Sequence, residues 1–346
     1  EDAVRQDANY TPVTSAITAV ASTSSSVPTW SSVSLVQNMA DIAGYADQLV
    51  LIGPTRPETV GVSTDGGATW SYPTTDLSTE QGWTCIAYGN GSYAALGPSN
   101  RWAYSTDGTT WTTPGTFTGD VNWNDIIYAE PAGVPTFVGC GGAGSYRLRY
   151  SLNGGVTWNF GQQGATIDQY WYVGVTYGEV AGTPRFVAIS QWNGLDTSTA
   201  STVFSEDGQT WTDISNIVAS NWQDIAFGNG RYVAVARDGT TRFAYSDDGF
   251  TWVSLSTALD IYAWGRVEFG NGLFLATNNG GTGRTATSTD GINWVLGTTV
   301  SGLGDSYLRF INNKFWGNGD SAVFSTNVIV SGTLLTFTDT TNFANF

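Results

Sequence analysis

Any chemistry in this chain has to come from carboxylates, arginines and hydroxyls, because its 346 residues include no histidine. That absence removes Ser-His-Asp and Cys-His nucleophilic sites and imidazole-bound metals, leaving oxygen ligation of an ion such as calcium. No Asp-x-Asp-x-Asp-Gly run that could wrap calcium is present, so neither a metal nor another cofactor is expected. Cys85 and Cys140 fall in strand-like segments of successive repeats and read as buried free thiols, with one disulfide as the alternative. The other reactive residues recur with the chain. An Asp or Asn sits at Asp65, Asp107, Asn153, Asp207, Asp248 and Asp290, and an Arg stands four residues before the repeat's Ser at Arg101, Arg147, Arg242 and Arg284.

The first set lies in six copies of one segment, at 63–70, 105–111, 151–158, 205–211, 246–252 and 288–294, each running from Ser to Trp. A short carboxylate two residues after the Ser can accept N–H groups inside a tight turn. Gly supplies the positive φ, Thr favours the returning strand, and Trp covers the next layer. Asn153 keeps the acceptor without the charge, so the shared demand is hydrogen bonding, and the six are read as structural. No residue is assigned a catalytic role.

The four arginines occupy equivalent repeat positions, which suits either an anion-binding ring or, preferably, packing of each Arg stem on its own repeat with a nearby Asp. A third candidate set is Trp192, Asn193 and Asp196, where an aromatic ring and polar groups in a loop suit sugar stacking and hydroxyl hydrogen bonds. These seven residues form the expected ligand-binding set.

The elements that must position them follow from a second repeat, best seen in Trp222-Gln-Asp-Ile-Ala-Phe-Gly-Asn-Gly-Arg-Tyr-Val-Ala-Val235. Its copies begin near Met39, Trp83, Trp123, Tyr172, Trp222, Trp264 and Asp305. Gly-Asn-Gly between apolar runs signals a hairpin. Each unit therefore gives two strands, a loop, a third strand, the Ser-to-Trp turn and a fourth strand. Spacings of 42, 41 and 42 residues separate Asp65 from Asp107, Asp207 from Asp248, and Asp248 from Asp290, the length of a four-stranded blade. The expected fold is all-β: a seven-bladed β-propeller over 29–346, preceded by an extended arm or linker at 1–28. Strand direction puts the hairpin and Ser-to-Trp turns on one face and the ligand loops on the other. The seventh repeat stops at Ala322-Val-Phe-Ser-Thr-Asn327, and Pro28-Thr-Trp30 matches its missing half. The segment near Trp30 is therefore expected to complete blade 7, with 328–330 or 334–337 as the competing strand.

The Ser-x-Asp-(x)-Gly-x-Thr-Trp pattern resembles the Asp-box of sialidase-like and related β-propellers, which implies the architecture and says little about activity. Sialidases combine an arginine triad, a Tyr nucleophile with a Glu partner and an Asp acid/base, and carry their first Arg on a Phe-Arg-Ile-Pro-like segment. Here Arg56-Pro57 is the nearest fragment. A pair of carboxylates from Asp120, Asp168, Asp196 or Asp305 leaves a glycosidase as the runner-up. Asp7-Ala-Asn-Tyr-Thr-Pro-Val13, followed by Ala16-Ile-Thr-Ala-Val20, resembles N-terminal segments of some tailed-phage virion proteins.

These readings together imply a non-catalytic module at a virion surface, in a tail fibre, tail spike or decoration protein. It would bind host-surface glycan and contact other virion proteins through its arm and its C-terminal tail. A protein-binding scaffold is the further alternative. A net charge of −16 disfavours general attraction to nucleic acid or anionic lipid. The sequence contains no apolar run long enough to span a bilayer as a helix, so membrane insertion is not expected. An extracellular or virion-surface location is expected.

Overall fold

The computed structural model describes residues 29–327 apart from 37, 54–58, 76, 78–81, 98–99, 118–121, 143–146, 163–169, 192–200, 215–216, 219, 280–281 and 320–321. The expected arm at 1–28 and both competing closing segments lie outside the described residues.

The alternation of apolar runs and tight turns folds into seven antiparallel sheets. The first strand, β1 (Thr29–Ser34), belongs to the last blade. Blade 1 holds β2 (Asp41–Tyr45), β3 (Gln48–Ile52) and β4 (Val60–Ser63). Blade 2 holds β5 (Cys85–Gly89), β6 (Ser92–Gly97), β7 (Arg101–Ser105) and β8 (Thr112–Thr116). In blade 3 these become β9 (Asn122–Ala129), β10 (Thr136–Gly142), β11 (Leu148–Ser151) and β12 (Asn159–Phe160). Blade 4 comprises β13 (Trp171–Val180), β14 (Thr183–Gln191), β15 (Thr202–Ser205) and β16 (Thr212–Asp213). Next come β17 (Trp222–Gly228), β18 (Arg231–Ala236), β19 (Phe243–Ser246) and β20 (Val253–Leu255) of blade 5. Blade 6 is β21 (Trp264–Gly270), β22 (Leu273–Asn278), β23 (Thr285–Ser288) and β24 (Val295–Leu296). Blade 7 is β25 (Leu303–Ile311), β26 (Lys314–Gly319) and β27 (Ala322–Asn327), completed by β1.

The first strand of each blade touches the first strand of the next, and β25 touches β2, so the sheets form a closed ring. Closure on the outside is made by β1, which runs antiparallel to β27 with Trp30 opposite Thr326 and Val33 opposite Val323. Trp30 packs onto a cluster of Leu273, Leu275, Leu308 and Phe315, so the closing strand is held by apolar burial as well as backbone hydrogen bonds. Blade 1 departs from the pattern. Its fourth-strand position is reduced to one bridge, Val62 with Ser71, through two backbone hydrogen bonds of 2.8 Å. Pro73, two residues on, has no N–H to continue the ladder.

In the Gly-Asn-Gly segments only Asn-Gly makes the turn: Asn229 and Gly230 have φ of 49° and 74°, the mirror-image turn that matches strand twist. The leading Gly does a different job. A Cβ on Gly228 would sit 2.0 Å from the ring of Phe269 in the next blade. Gly89 faces Tyr128, Gly178 faces Phe227 and Gly270 faces Phe310 in the same way. An aromatic ring from one blade thus rests on bare backbone of the blade before it, which lets the inner strands approach closely around the hub.

The Ser-to-Trp turns are held as the sequence implies. In blade 5 the Asp248 carboxylate accepts from the N–H of Phe250 and Thr251 at 2.7 and 2.6 Å, while Ser246 Oγ accepts from Gly249 N at 2.8 Å. Asp107, Asp207 and Asp290 repeat the arrangement, and Asp65 and Asn153 take the Thr four residues on instead. The turns also bolt neighbouring blades together. Gln48 Nε2 donates to Asp107 O at 2.7 Å and Ser92 Oγ to Gly154 O at 2.7 Å, and the guanidinium groups of Arg185 and Arg231 donate to Asp248 O and Asp290 O. Each link starts at the beginning of a second strand and reaches the turn of the following blade.

Two substitutions separate these effects. Gly228→Ala is expected to destabilise by about 1–3 kcal/mol, because the ring of Phe269 has to be displaced. Asp248→Ala should cost about 1 kcal/mol, since the N–H groups it leaves lie at the surface where water replaces the carboxylate. Urea unfolding monitored by tryptophan fluorescence measures both, and a Gly228→Ala midpoint equal to that of the parent would refute the packing argument.

Candidate functional site

The hub of the ring carries charge. The third residue of the repeated inner-strand segment is Asp41 in blade 1, Asp125 in blade 3 and Asp224 in blade 5, each at most 4% exposed. Every one of these carboxylates accepts a backbone N–H from the next blade: Ile86 N to Asp41 at 3.0 Å, Val175 N to Asp125 at 3.0 Å, and Val267 N to Asp224 at 3.1 Å. The corresponding positions in the blades between are Cys85, Gly174 and Arg266, so no two of these carboxylates stand side by side. A side chain at Gly174 would meet Asp224 Oδ1 at 2.9 Å, so a small residue is needed there.

Two residues further along the inner strands, Arg309 of β25 reaches across the hub. Its Nε and Nη2 bind Asp41 Oδ1 and Oδ2 at 3.0 and 2.9 Å, and Nη2 also binds Asp125 Oδ1 at 2.6 Å. Burial alone would weaken the charge on this guanidinium, but the two carboxylates outweigh it and hold the group firmly protonated. Glu268 of β21 occupies the equivalent level, and burial pushes its carboxyl up to about 8, only partly opposed by Arg309 and by the N–H of Phe269. Burial also raises Asp224, against the pull of Arg266.

This charged layer bounds a cavity of about 380 Å³ that is lined by inner-strand residues of all seven blades and extends toward their hairpin ends at Gly44, Ile311 and Asn312. Its walls are mostly aliphatic, with Asp125, Asp224, Glu268 and Arg309 among the lining residues. On the other side of Arg309 lies a void of about 10 Å³, the size of one water molecule, bordered by Asp41, Thr84, Asn124, Arg266 and Tyr307. Among the described residues no group of acids or thiols is arranged to hold a metal ion. Cys85 and Cys140 are buried free thiols, and burial raises both well above the usual thiol range, which makes them unreactive.

The residues singled out from sequence lie elsewhere. Trp192, Asn193 and Asp196 fall outside the described residues, as do Arg56, Asp120 and Asp168. Arg101, Arg147, Arg242 and Arg284 open the third strands or the turns just before them, and none lines the cavity. Their backbone carbonyls help explain the recurrence: those of Arg147, Arg242 and Arg284 accept from Gly141, Ala236 and Asn278 at the ends of the second strands. The Arg284 guanidinium lies 4.4 Å from the centre of the Tyr262 ring, and the N–H of Arg242 donates to Asp260 Oδ1 at 3.1 Å, in keeping with packing on the parent blade. The hub residues were not singled out from sequence. Their one signal was the repeated Asp-Ile pair of Asp41-Ile42, Asp125-Ile126 and Asp224-Ile225, while Arg309 and Glu268 carry no repeat signature.

No protein-family profile matches the chain, and no curated protein matches it. Solved structures do. The chain is similar to YCF48 bound to D1 peptide, with 15% identity, a TM-score of 0.65 and coverage of 89% of this chain and 99% of that one. It is similar also to an inactive histidine-to-alanine variant of virginiamycin B lyase from Staphylococcus aureus with quinupristin, at 10% identity, TM-score 0.67, and 87% and 100% coverage. The WD40 propeller domain of Doa1 matches at 9% identity and TM-score 0.60, over 87% of this chain and 97% of that one. At these identities the likeness establishes the fold: a seven-bladed β-propeller with four-stranded antiparallel blades.

The two kinds of carboxylate set opposite pH limits on stability. Glu268 is raised in the folded state, so the native protein holds a proton that the unfolded chain releases, and stability falls as pH rises from about 4.5 through about 8. Turn hydrogen bonds hold Asp65 at about 2, chiefly through Thr69. At Asp290 they outweigh partial burial and again hold the group at about 2. Those contributions are present above about 3.8 and lost as pH falls toward 2. The melting temperature should therefore peak near pH 4–5, and Glu268→Gln should flatten the alkaline side of the curve; a parent profile that rises from pH 5 to 8 would contradict this.

Proposed function

We propose that this chain is a non-enzymatic propeller that binds segments of other proteins at its hairpin face, with the central cavity as the anchoring site. The observation that carries the reading is the cavity itself: about 380 Å³, within the range of small-ligand pockets, with aliphatic walls and a fixed charged floor at the hub of a closed ring. Support comes also from the similar propeller YCF48, whose structure holds a D1 peptide. The lyase activity of another similar propeller is not carried over, because the inactive variant named there lacks a histidine and this chain has none at all. We further read the six Ser-to-Trp turns as Asp-box turns, supported by the shared Ser, Asp and Gly hydrogen bonds and by Trp Nε1 donating to the Gly carbonyl in four of them.

Protein binding is preferred over a virion-surface module that recognises glycan. The glycan reading rests on Trp192, Asn193 and Asp196, and the virion reading on the arm at 1–28, all outside the described residues. No comparison supports either.

The test is an immobilised peptide library probed with the parent chain and with Ala87→Phe and Ala226→Phe, which place a ring in the cavity. Bound peptides should be released at least about tenfold more readily from both variants, a loss of about 1.4 kcal/mol, while melting temperatures stay close to the parent's. Peptide binding that ignores the filled cavity, or retention on a glycan array with no peptide bound, would overturn the proposal.

A further inference from the structure

The hub wall divides into two arcs of different charge. On one, Arg309 from blade 7 pairs with Asp41 of blade 1 and Asp125 of blade 3, so a single guanidinium serves two carboxylates. On the other, the consecutive inner strands β13, β17 and β21 bring Thr176, Asp224 and Glu268 to the cavity. Arg266 is the second guanidinium that acts on this cluster. Four acids, Asp41, Asp125, Asp224 and Glu268, thus stand against two arginines, and full ionisation would leave two negative charges without a counterpart.

An excess of acid would not by itself define a site. Thr176 supplies the second observation. It is 7% exposed and lines the cavity, and among the described residues no hydrogen bond is made by its hydroxyl. A buried hydroxyl ordinarily has a partner, so this one awaits a group from outside. The acids beside it keep acceptor capacity of their own. Asp224 takes one N–H on each oxygen, from Ile225 and Val267, and Glu268 takes the N–H of Phe269 on Oε1 alone. Ile86, Ile127, Val175 and Ile225 supply apolar wall around them.

We propose that this arc receives the side chain of a lysine presented by a partner protein, its alkyl stem along the aliphatic wall and its ammonium donating to Asp224, Glu268 and Thr176. The proposal rests on the protein-binding reading above and names the chemistry of that partner. Three N–H donors meet three acceptors. An arginine would bring five donors to the same three and leave some buried and unmatched. The chain's net charge of −16 draws basic segments toward it at long range. Arrival of the ammonium favours the ionised form of Glu268, so the carboxyl proton passes to solvent as the ion pair forms.

Isothermal titration calorimetry tests this with a capped Gly-Gly-Lys-Gly-Gly peptide, the same peptide carrying norleucine in place of lysine, and n-butylamine. At pH 7 the lysine peptide is expected to bind at least about tenfold more tightly than the norleucine peptide and to release protons, seen as a buffer-dependent heat. Glu268→Gln and Thr176→Val should each weaken the lysine peptide, the first by about tenfold or more, with melting temperatures no lower than the parent's for Glu268→Gln. Equal affinity for the lysine and norleucine peptides, or unchanged affinity in both variants, overturns the site. Binding of n-butylamine as tight as that of the lysine peptide assigns it to free amines and overturns a protein source. Should the library peptides bind in the cavity while no lysine peptide does, the lysine site falls and the protein-binding reading stands. Should neither bind, both fall.

Discussion

A blade in this molecule is stable only while its neighbours cover its two faces, so the structure depends on the seam where blade 7 meets blade 1. That seam is held in two places. At the outer edge the backbone of β1 pairs with β27 along six residue pairs, joining segments that stand nearly 300 positions apart in the chain. At the hub the Arg309 guanidinium makes a two-pronged pair with Asp41, with a further bond to Asp125. A buried ion pair of this kind gives little net stability compared with apolar packing, but loss of one partner leaves an uncompensated buried charge, so it penalises any arrangement in which the ring fails to close. Geometry, not strength, is its contribution.

Carboxylates serve two purposes here, and their surroundings separate them. Those of the Ser-to-Trp turns sit near the surface, satisfied within their own turn by N–H groups that favour the ionised form. Those at the hub are buried and reach sideways to the next blade, where lost hydration favours the neutral form except where an arginine stands close. The same residue type therefore stabilises a turn in one place and orders neighbouring blades in the other. Alternation of Asp41, Asp125 and Asp224 with Cys85, Gly174 and Arg266 keeps this second role compatible with like-charge repulsion.

The cavity follows from the same constraint. Seven inner strands around one axis leave a central space. The glycine seats under Tyr128, Phe227, Phe269 and Phe310 keep those strands close, and the layer around Arg309 separates the larger space from the one-water void beyond it. A fixed apolar sleeve with a charged floor loses little order on receiving a ligand, which suits recognition of a protruding side chain.

The sequence by itself determined the architecture. Six Ser-to-Trp turns and seven hairpin units define blade number, strand order and the faces on which the turns lie, because turns and strand alternation are local properties of a few adjacent residues. The truncated repeat ending at Asn327 and the returning-strand signature at Trp30 were legible in the same way, since each is a fragment of a repeat. Only the tertiary structure decided what the first Gly of each Gly-Asn-Gly is for, because its reason is a ring some 40 positions away in the next blade. It also decided the hub. Arg309, Glu268 and Thr176 match no repeat, and their meeting in one cavity depends on closure of the ring. The arginines before each Ser had the stronger pattern in sequence, yet the structure places them away from the cavity. Repetition there records a shared place in the blade, and a single asymmetric site at the centre is built from positions where the repeats differ.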